Sequence, residues 1–238
     1  MSCFTLVMPY YENPAMLAEH YREWETWPDA LRSRFSAIVV DDGSAGIPAA
    51  SVSRPTGLEI AIYRLLGSQP WRQHAARNLG AALAEPGWLL LTDIDHLLPQ
   101  AGAAGIVGSG LDAGTVYVPS RVDASTGLPT VGRDGKPKPH PNTFLMTREM
   151  FWRIGGYDER ATGVYGTDRL FRERCVAQAR VAGLDIRMVR YGRKQVADAS
   201  TTGLSRDLDD PARLRAIAAI QADPLGRTTL QFAWERVC

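Results

Sequence analysis

"AIVVDDGS", residues 37–44, drives an apolar run to its end and sets two adjacent carboxylates, Asp41 and Asp42, directly after it. A run this continuously apolar reads as a strand buried on both faces, the kind a parallel sheet covered by helices requires. Like charges repel at such a strand end and lose hydration there. The pair is therefore either put to use or tied down by its own turn, with Asp41 as a cap on Asp42-Gly43.

Working outward, FTLVM (4–8), LEIAIYRL (58–65) and WLLLT (88–92) read as further strands. Asn13 and Pro14 open a helix through about residue 24, and PWRQHAARNLGAALAE (70–85) carries helical spacing in Ala75, Leu79, Ala82 and Leu83. TVYVP (115–119) and IRMV (186–189) supply additional strands, and a helix starts near 211. Alternating strands and helices predict an α/β fold with a mostly parallel sheet flanked by helices, in which ligands meet the carboxyl ends of strands. Residues 120–142, rich in Gly, Pro and basic side chains, read as a lid or an insertion.

With 238 residues, 45% of them hydrophobic, the chain is long enough for one sizeable core, and a single domain is expected. Its halves differ in charge. Residues 1–100 carry 7 Lys/Arg against 11 Asp/Glu, a net −4, and residues 101–238 carry 20 against 15, a net +5. One basic cluster, Arg187, Arg190, Arg193 and Lys194, either meets an acidic partner or is simply a solvated face. Cys3, Cys175 and Cys238 are scattered, which suggests neither a disulfide framework nor a zinc site. No run reaches the roughly 18 apolar residues of a membrane span. A soluble, cytoplasmic protein without membrane contact is the expectation.

"LLLTDIDHLLP", residues 89–99, repeats the pattern of the opening stretch. If the chain stays extended after the strand, Asp93 and Asp95 at i, i+2 point to one side and share a hard cation such as Mn²⁺ or Mg²⁺. Asp41 and Asp42 then gain a matching use on a nucleobase, a ribose or an arginine. The turn after the first strand, MPYYENP, lacks G-x-G-x-x-G and is no Rossmann loop. His96 follows the acids but should point away from Asp95, which favours packing; His140 belongs to the lid segment, as a residue over the metal or acceptor or as an exposed loop histidine. His20 and His74 read as surface or boundary residues of helices, and Trp152 as a core residue that alternatively stacks on a sugar.

VVDDGS, ARNLGAALA, the strand ending in DID, and GGYDE followed by GTDRLFRER come in an order that resembles family 2 glycosyltransferases of the GT-A fold, over roughly residues 4–190. The resemblance implies transfer of a sugar from a nucleoside diphosphate sugar, a UDP-sugar by preference, to an acceptor hydroxyl with inversion and with Mn²⁺ or Mg²⁺. It implies a GT-A domain over 1–198, its nucleotide-sugar half about 1–100 and its acceptor half about 101–198, with a helical tail, 199–238, packed on it. Pro9, Tyr11, Asp41, Asp42, Arg77 and Asp93 match the family's nucleotide-sugar site, with Asp41 at the base, Asp42 near the ribose and Arg77 near the diphosphate. Asp93 and Asp95 match its metal-binding D-x-D, Asp95 as the direct ligand. Asp168 matches the catalytic base, with Glu159 and Asp158 the next acids in line. Thr167 stands where the family has Glu, which leaves the acceptor open; Thr167, Trp152 and His140 are candidate acceptor contacts. A saccharide, a small molecule or a hydroxylated DNA base all fit. The rival reading is a non-catalytic nucleotide-sugar or nucleic-acid-binding protein of the same fold. A nucleotidyltransferase would need a Gly-rich basic loop where MPYYENP stands.

Overall fold

The computed structural model describes residues 3–67, 69–132, 134–140, 142–192, 196 and 204–238. The apolar runs of the first half form a parallel core: β1 (Phe4–Tyr10), β2 (Phe35–Asp41), β3 (Glu59–Leu65) and β4 (Trp88–Leu91). β1 lies between β2 and β4, β2 carries β3, and all three pairs are parallel. The connections supply α1 (Pro14–Thr26), the short α2 (Asp29–Arg32) and α3 (Gln73–Leu83).

The second half is mixed. It adds β5 (His96–Leu97), α4 (Gln100–Gly108), β6 (Thr115–Asp123), β7 (Phe144–Thr147), α5 (Arg148–Ile154), α6 (Asp168–Gln178), β8 (Arg180–Arg190), α7 (Pro211–Ala222) and β9 (Trp234–Arg236). Together the strands make one sheet in the order β5-β8-β6-β7-β4-β1-β2-β3-β9. β7 runs antiparallel to β4 and joins the two halves, so one sheet spans the molecule.

Alternation along the strands divides the core between two faces. Leu6, Met8 and Tyr10 of β1 pack with Leu17, Tyr21 and Trp24 of α1 and Ala103 and Ile106 of α4. Val7 packs to the other side with Ala75, Ala76 and Leu79 of α3, Phe151 of α5 and Phe171 of α6. α3 approaches β1 closely because of Gly80, where a Cβ atom would overlap the Val7 side chain. That closeness fixes the helix that carries the site's basic residues.

The 120–142 segment is structured over its described residues. β6 continues to Asp123, and the chain folds back on it, with Val122 bridged to Pro129 and Val131 to Pro137. In the tail, Ile217 and Ile220 of α7 pack on Ala161 and Leu170, while β9 adds an antiparallel edge strand to β3. The expected boundary at 198 lies outside the described residues, as do Arg193 and Lys194; Arg187 and Arg190 lie on β8. Among the described residues no helix is long and apolar enough to cross a membrane.

Candidate active site

At the end of β4 the chain does not stay extended. A turn at residues 94 and 95 brings the His96 N–H onto the Asp93 carbonyl at 3.0 Å. The two acids consequently take different partners, which corrects the expectation of a shared side. Asp93 Oδ1 accepts from Arg77 Nη2, and Asp95 Oδ1 accepts from His96 Nδ1 at 2.8 Å. His96 is buried and faces Asp95 instead of pointing away, because the turn reverses the alternation. Its Nε2 lies 3.4 Å from Arg121 Nη1. His20, read from sequence as a surface or boundary residue, is buried and donates from Nε2 to the Ile94 carbonyl at 2.9 Å, under the turn.

His140 reaches this cluster from the 120–142 segment. Its ring stacks on His96 at 3.9 Å between centroids, and its Nε2 lies 3.4 Å from Asp93 Oδ2. With 13% of the side chain exposed it is no free loop histidine. Burial, then the neighbouring His96 and Arg121, hold its pKa well below the usual value, so it is neutral at pH 7. For Asp95 burial raises the pKa, but the His96 hydrogen bond and charge outweigh it and the net shift is downward.

Arg77 is buried in α3, its guanidinium 5.3 Å from the Tyr157 ring centroid. Beyond Nη2 on Asp93, its Nε and Nη1 have no hydrogen-bond partner among the described residues. Unpaired buried donors cost about 1–3 kcal/mol each, and these two are closed off from solvent by the surrounding core. Asp93 and Asp95 are hard oxygen donors with 21% and 34% of their side chains exposed. That set suits Mg²⁺ or Mn²⁺ held by one or two carboxylates together with substrate phosphates. Among the described residues no three His, Cys, Asp or Glu are grouped to hold a metal alone.

Asp168 is the first residue of α6 and Thr167 occupies the cap position, so Asp168 is not the cap. Its Oδ1 accepts from Gln73 Nε2 at 3.0 Å and lies 3.5 Å from His74 Nε2. Burial pushes its carboxyl up, yet His74, Arg77 and Asn142 outweigh burial and hold it below the ordinary value. His74, also read as a surface or boundary residue, is buried: Nδ1 donates to the Asp158 carbonyl at 3.1 Å, and the ring lies 5.4 Å from that of Trp71. Electrostatically, Arg77 links Asp168 to Asp93.

The Asp41-Asp42 pair is tied down from within. Asp41 accepts from Ser44 N–H at 2.7 Å and Ala49 N–H at 2.8 Å. Asp42 takes the Arg72 backbone N–H at 2.7 Å and its Nε at 2.8 Å, with both side chains buried. Burial pushes the Asp42 carboxyl up to about 6, against the pull of Arg72. Gly43, at φ +79°, leaves the space that the Arg72 guanidinium fills. Glu12, inside MPYYENP, holds the same loop by accepting from Gly46 and Ile47 N–H at 2.7 and 2.8 Å. Pro9 and Tyr11 flank this loop at the end of β1, Pro9 in register with Val40.

Four expected residues are used inside the fold. Thr167 is buried and donates to the Val164 carbonyl, so its hydroxyl is used inside the fold. Trp152 packs edge-on against Phe151 at 5.0 Å, in the core. The reserve acids are engaged: Asp158 pairs with Arg160 at 2.7 Å, and Glu159 accepts from Asn78 Nδ2 and from the N–H groups of Leu230 and Gln231. Sequence reasoning did not single out Glu12, Arg72, Gln73 or Arg121. The one available signal was Arg72-Gln73-His74 at the start of a predicted helix, three polar residues beside an apolar stripe.

The sheet and its flanking helices match solved GT-A glycosyltransferases in fold. S. aureus TarS 1–349 in complex with UDP-GlcNAc is 16% identical, with a TM-score of 0.66, over 94% of this chain and 67% of that one. The mannosyltransferase PcManGT from Pyrobaculum calidifontis, in complex with GDP-Man and Mn²⁺, is 16% identical, with a TM-score of 0.58, over 79% of this chain and 56% of that one. A second structure of S. aureus TarS 1–349 is 18% identical, with a TM-score of 0.57, over 81% of this chain and 61% of that one. The chain thus spans between 56% and 67% of the length of these neighbours. No protein-family model and no curated protein matches the sequence. What the likeness establishes is the fold: a single-domain GT-A architecture around one large sheet.

Proposed function

We propose that the chain is a glycosyltransferase of the family 2 type, moving a sugar from a nucleoside diphosphate sugar, a UDP-sugar by preference, to an acceptor hydroxyl with inversion. The observation that carries this reading is the connected cluster Asp95–His96–His140–Asp93–Arg77–Asp168 at the end of β4 and the start of α6, in a GT-A fold. The neighbours crystallised with UDP-GlcNAc and with GDP-Man and Mn²⁺ support a nucleotide-sugar donor and a divalent cation.

In this mechanism Asp168 takes the proton of the acceptor hydroxyl. The acceptor oxygen bonds to the anomeric carbon as the bond to the diphosphate oxygen breaks, so one displacement inverts the centre. A lowered pKa keeps Asp168 ionised at neutral pH, as a general base must be, and Gln73 and His74 fix its orientation. Arg77, buried behind Asp93, would supply positive charge to the place where the diphosphate binds. Asp93 and Asp95 would hold Mn²⁺ or Mg²⁺, which offsets charge on the leaving group when bound. Asp41, Asp42, Pro9 and Tyr11 act on base and ribose through the loop they shape.

The test is nucleoside diphosphate release from a panel of UDP- and GDP-sugars, with Mn²⁺, with Mg²⁺ and in chelator, beside donor binding by calorimetry. Release that depends on the cation, falls by about 10²-fold or more in kcat in Asp168→Asn, and leaves donor affinity intact is the expected result. Donor binding without turnover at any acceptor would move the protein to the binding-module reading.

A further inference from the structure

A cavity of about 600 Å³ lies between β6, β8, the fold-back of the 120–142 segment and α6. The larger part of its wall is apolar and stiff, with Pro119, Pro129, Pro137 and Pro139 beside Phe144 and Leu184. Three guanidinium groups border it, from Arg121, Arg172 and Arg187, against one acid, Asp185. Arg172 and Arg187 are exposed, and neither guanidinium has an ion-pair or hydrogen-bond partner among the described residues. Two lining elements connect the cavity to the acid cluster. His140 lines it and lies 3.4 Å from Asp93 Oδ2. Arg172 stands one helical turn after Asp168 in α6.

We propose that this cavity holds the acceptor, and that the acceptor is a small molecule with a flat apolar body and an anionic group, a carboxylate, sulfonate or phosphate, that meets Arg172 and Arg187. The word acceptor rests on the glycosyl-transfer reading; the ligand chemistry rests on the cavity alone. The volume is that of a single drug-sized ligand. A saccharide would find Ser120, Asp185 and the arginines for its hydroxyls but would leave the prolines, valines and Phe144 without an apolar partner. A nucleic acid needs a row of cations along an open surface, whereas here the cations ring one hollow. An apolar body with one charged end satisfies both parts of the wall.

The probe is 8-anilinonaphthalene-1-sulfonate, with neutral N-phenyl-1-naphthylamine as the same ring body without the charge. Saturable one-to-one binding of the sulfonate to the folded protein is expected. The Arg172→Gln/Arg187→Gln double variant should weaken it about tenfold or more and leave the neutral probe unchanged. Val176→Trp, at an exposed lining position, should weaken both probes by filling the space. No saturable binding, or sulfonate binding indifferent to these variants in proteins with wild-type melting curves, overturns the proposal. In the transfer assay, 4-hydroxyphenylacetate should exceed its neutral amide as acceptor about tenfold in kcat/KM, and equal use of the two overturns the acceptor class. Probe binding is read without donor, so failure of the glycosyl-transfer reading, seen as absent donor binding, is distinguishable from failure of the cavity site.

Discussion

Asp42 and Arg72 are both withdrawn from water and each has the other as its charge partner. Removing one member of a buried pair leaves the other uncompensated, a loss of about 3–5 kcal/mol, whereas replacing both by apolar residues is far milder. Arg72→Met should therefore destabilise strongly, and Asp42→Leu/Arg72→Met much less, by denaturant unfolding. The pH dependence has a definite sign. Asp42 has a folded pKa raised from 3.8 to about 6, so its contribution is fully present below 3.8 and is lost as pH rises through about 6. Without Arg72 that pKa rises further, so the stability gap between Arg72→Met and wild type should narrow from pH 7.5 to pH 4.5. A gap independent of pH would mean that Asp42 is ionised throughout. Asp93 and Asp95 stood out in the sequence as acids closing an apolar strand, whereas Asp168 was singled out only through the family resemblance. Arg72 and His74 did not stand out, since their partners lie 30 and 84 residues away and a helical period alone assigns them to a polar face.

Among the elements, α3 governs the site because it carries Gln73, His74 and Arg77 on a helix pressed against β1. Gly80→Ala gains about 1 kcal/mol of helix propensity but forces its methyl into Val7, which is wholly buried and β-branched. Overpacking of this kind costs about 1–3 kcal/mol, so a net loss of melting temperature is expected. Val7→Ala in the same chain should recover part of it, and purely additive effects would show that the contact is not the cause. The parallel strands were readable as long apolar runs. β5 and β9 were not, being two and three residues long, and α4 hides because QAGAAGIVG has no polar face to give it a period.

At the scale of the whole molecule, Glu159 ties the segment before β9 to α3. Wholly buried, it accepts from Asn78 of α3 and from the backbone of residues 230 and 231, just before β9. Glu159→Gln replaces one acceptor oxygen by a donor, leaving a backbone N–H facing an amide N–H. Unfolding should come about 1–3 kcal/mol sooner, and limited proteolysis should cut near 230 well before the sheet core. Cleavage at wild-type rate would remove the clamp. Such a clamp escapes sequence reading because it joins segments 71 residues apart, whereas the division of charge and the α/β alternation are visible in any window.

Trp71 carries an optical consequence. Trp24, Trp27 and Trp88 emit from one face of the sheet, among α1, β1 and β4, remote from any change at Asp168. Trp71 lies against His74, which in turn faces Asp168, and its indole is within 6.4 Å of the Tyr165 ring. The difference in emission between wild type and Trp71→Phe thus isolates a local lamp beside Asp168, one that reports arrival of a ligand there.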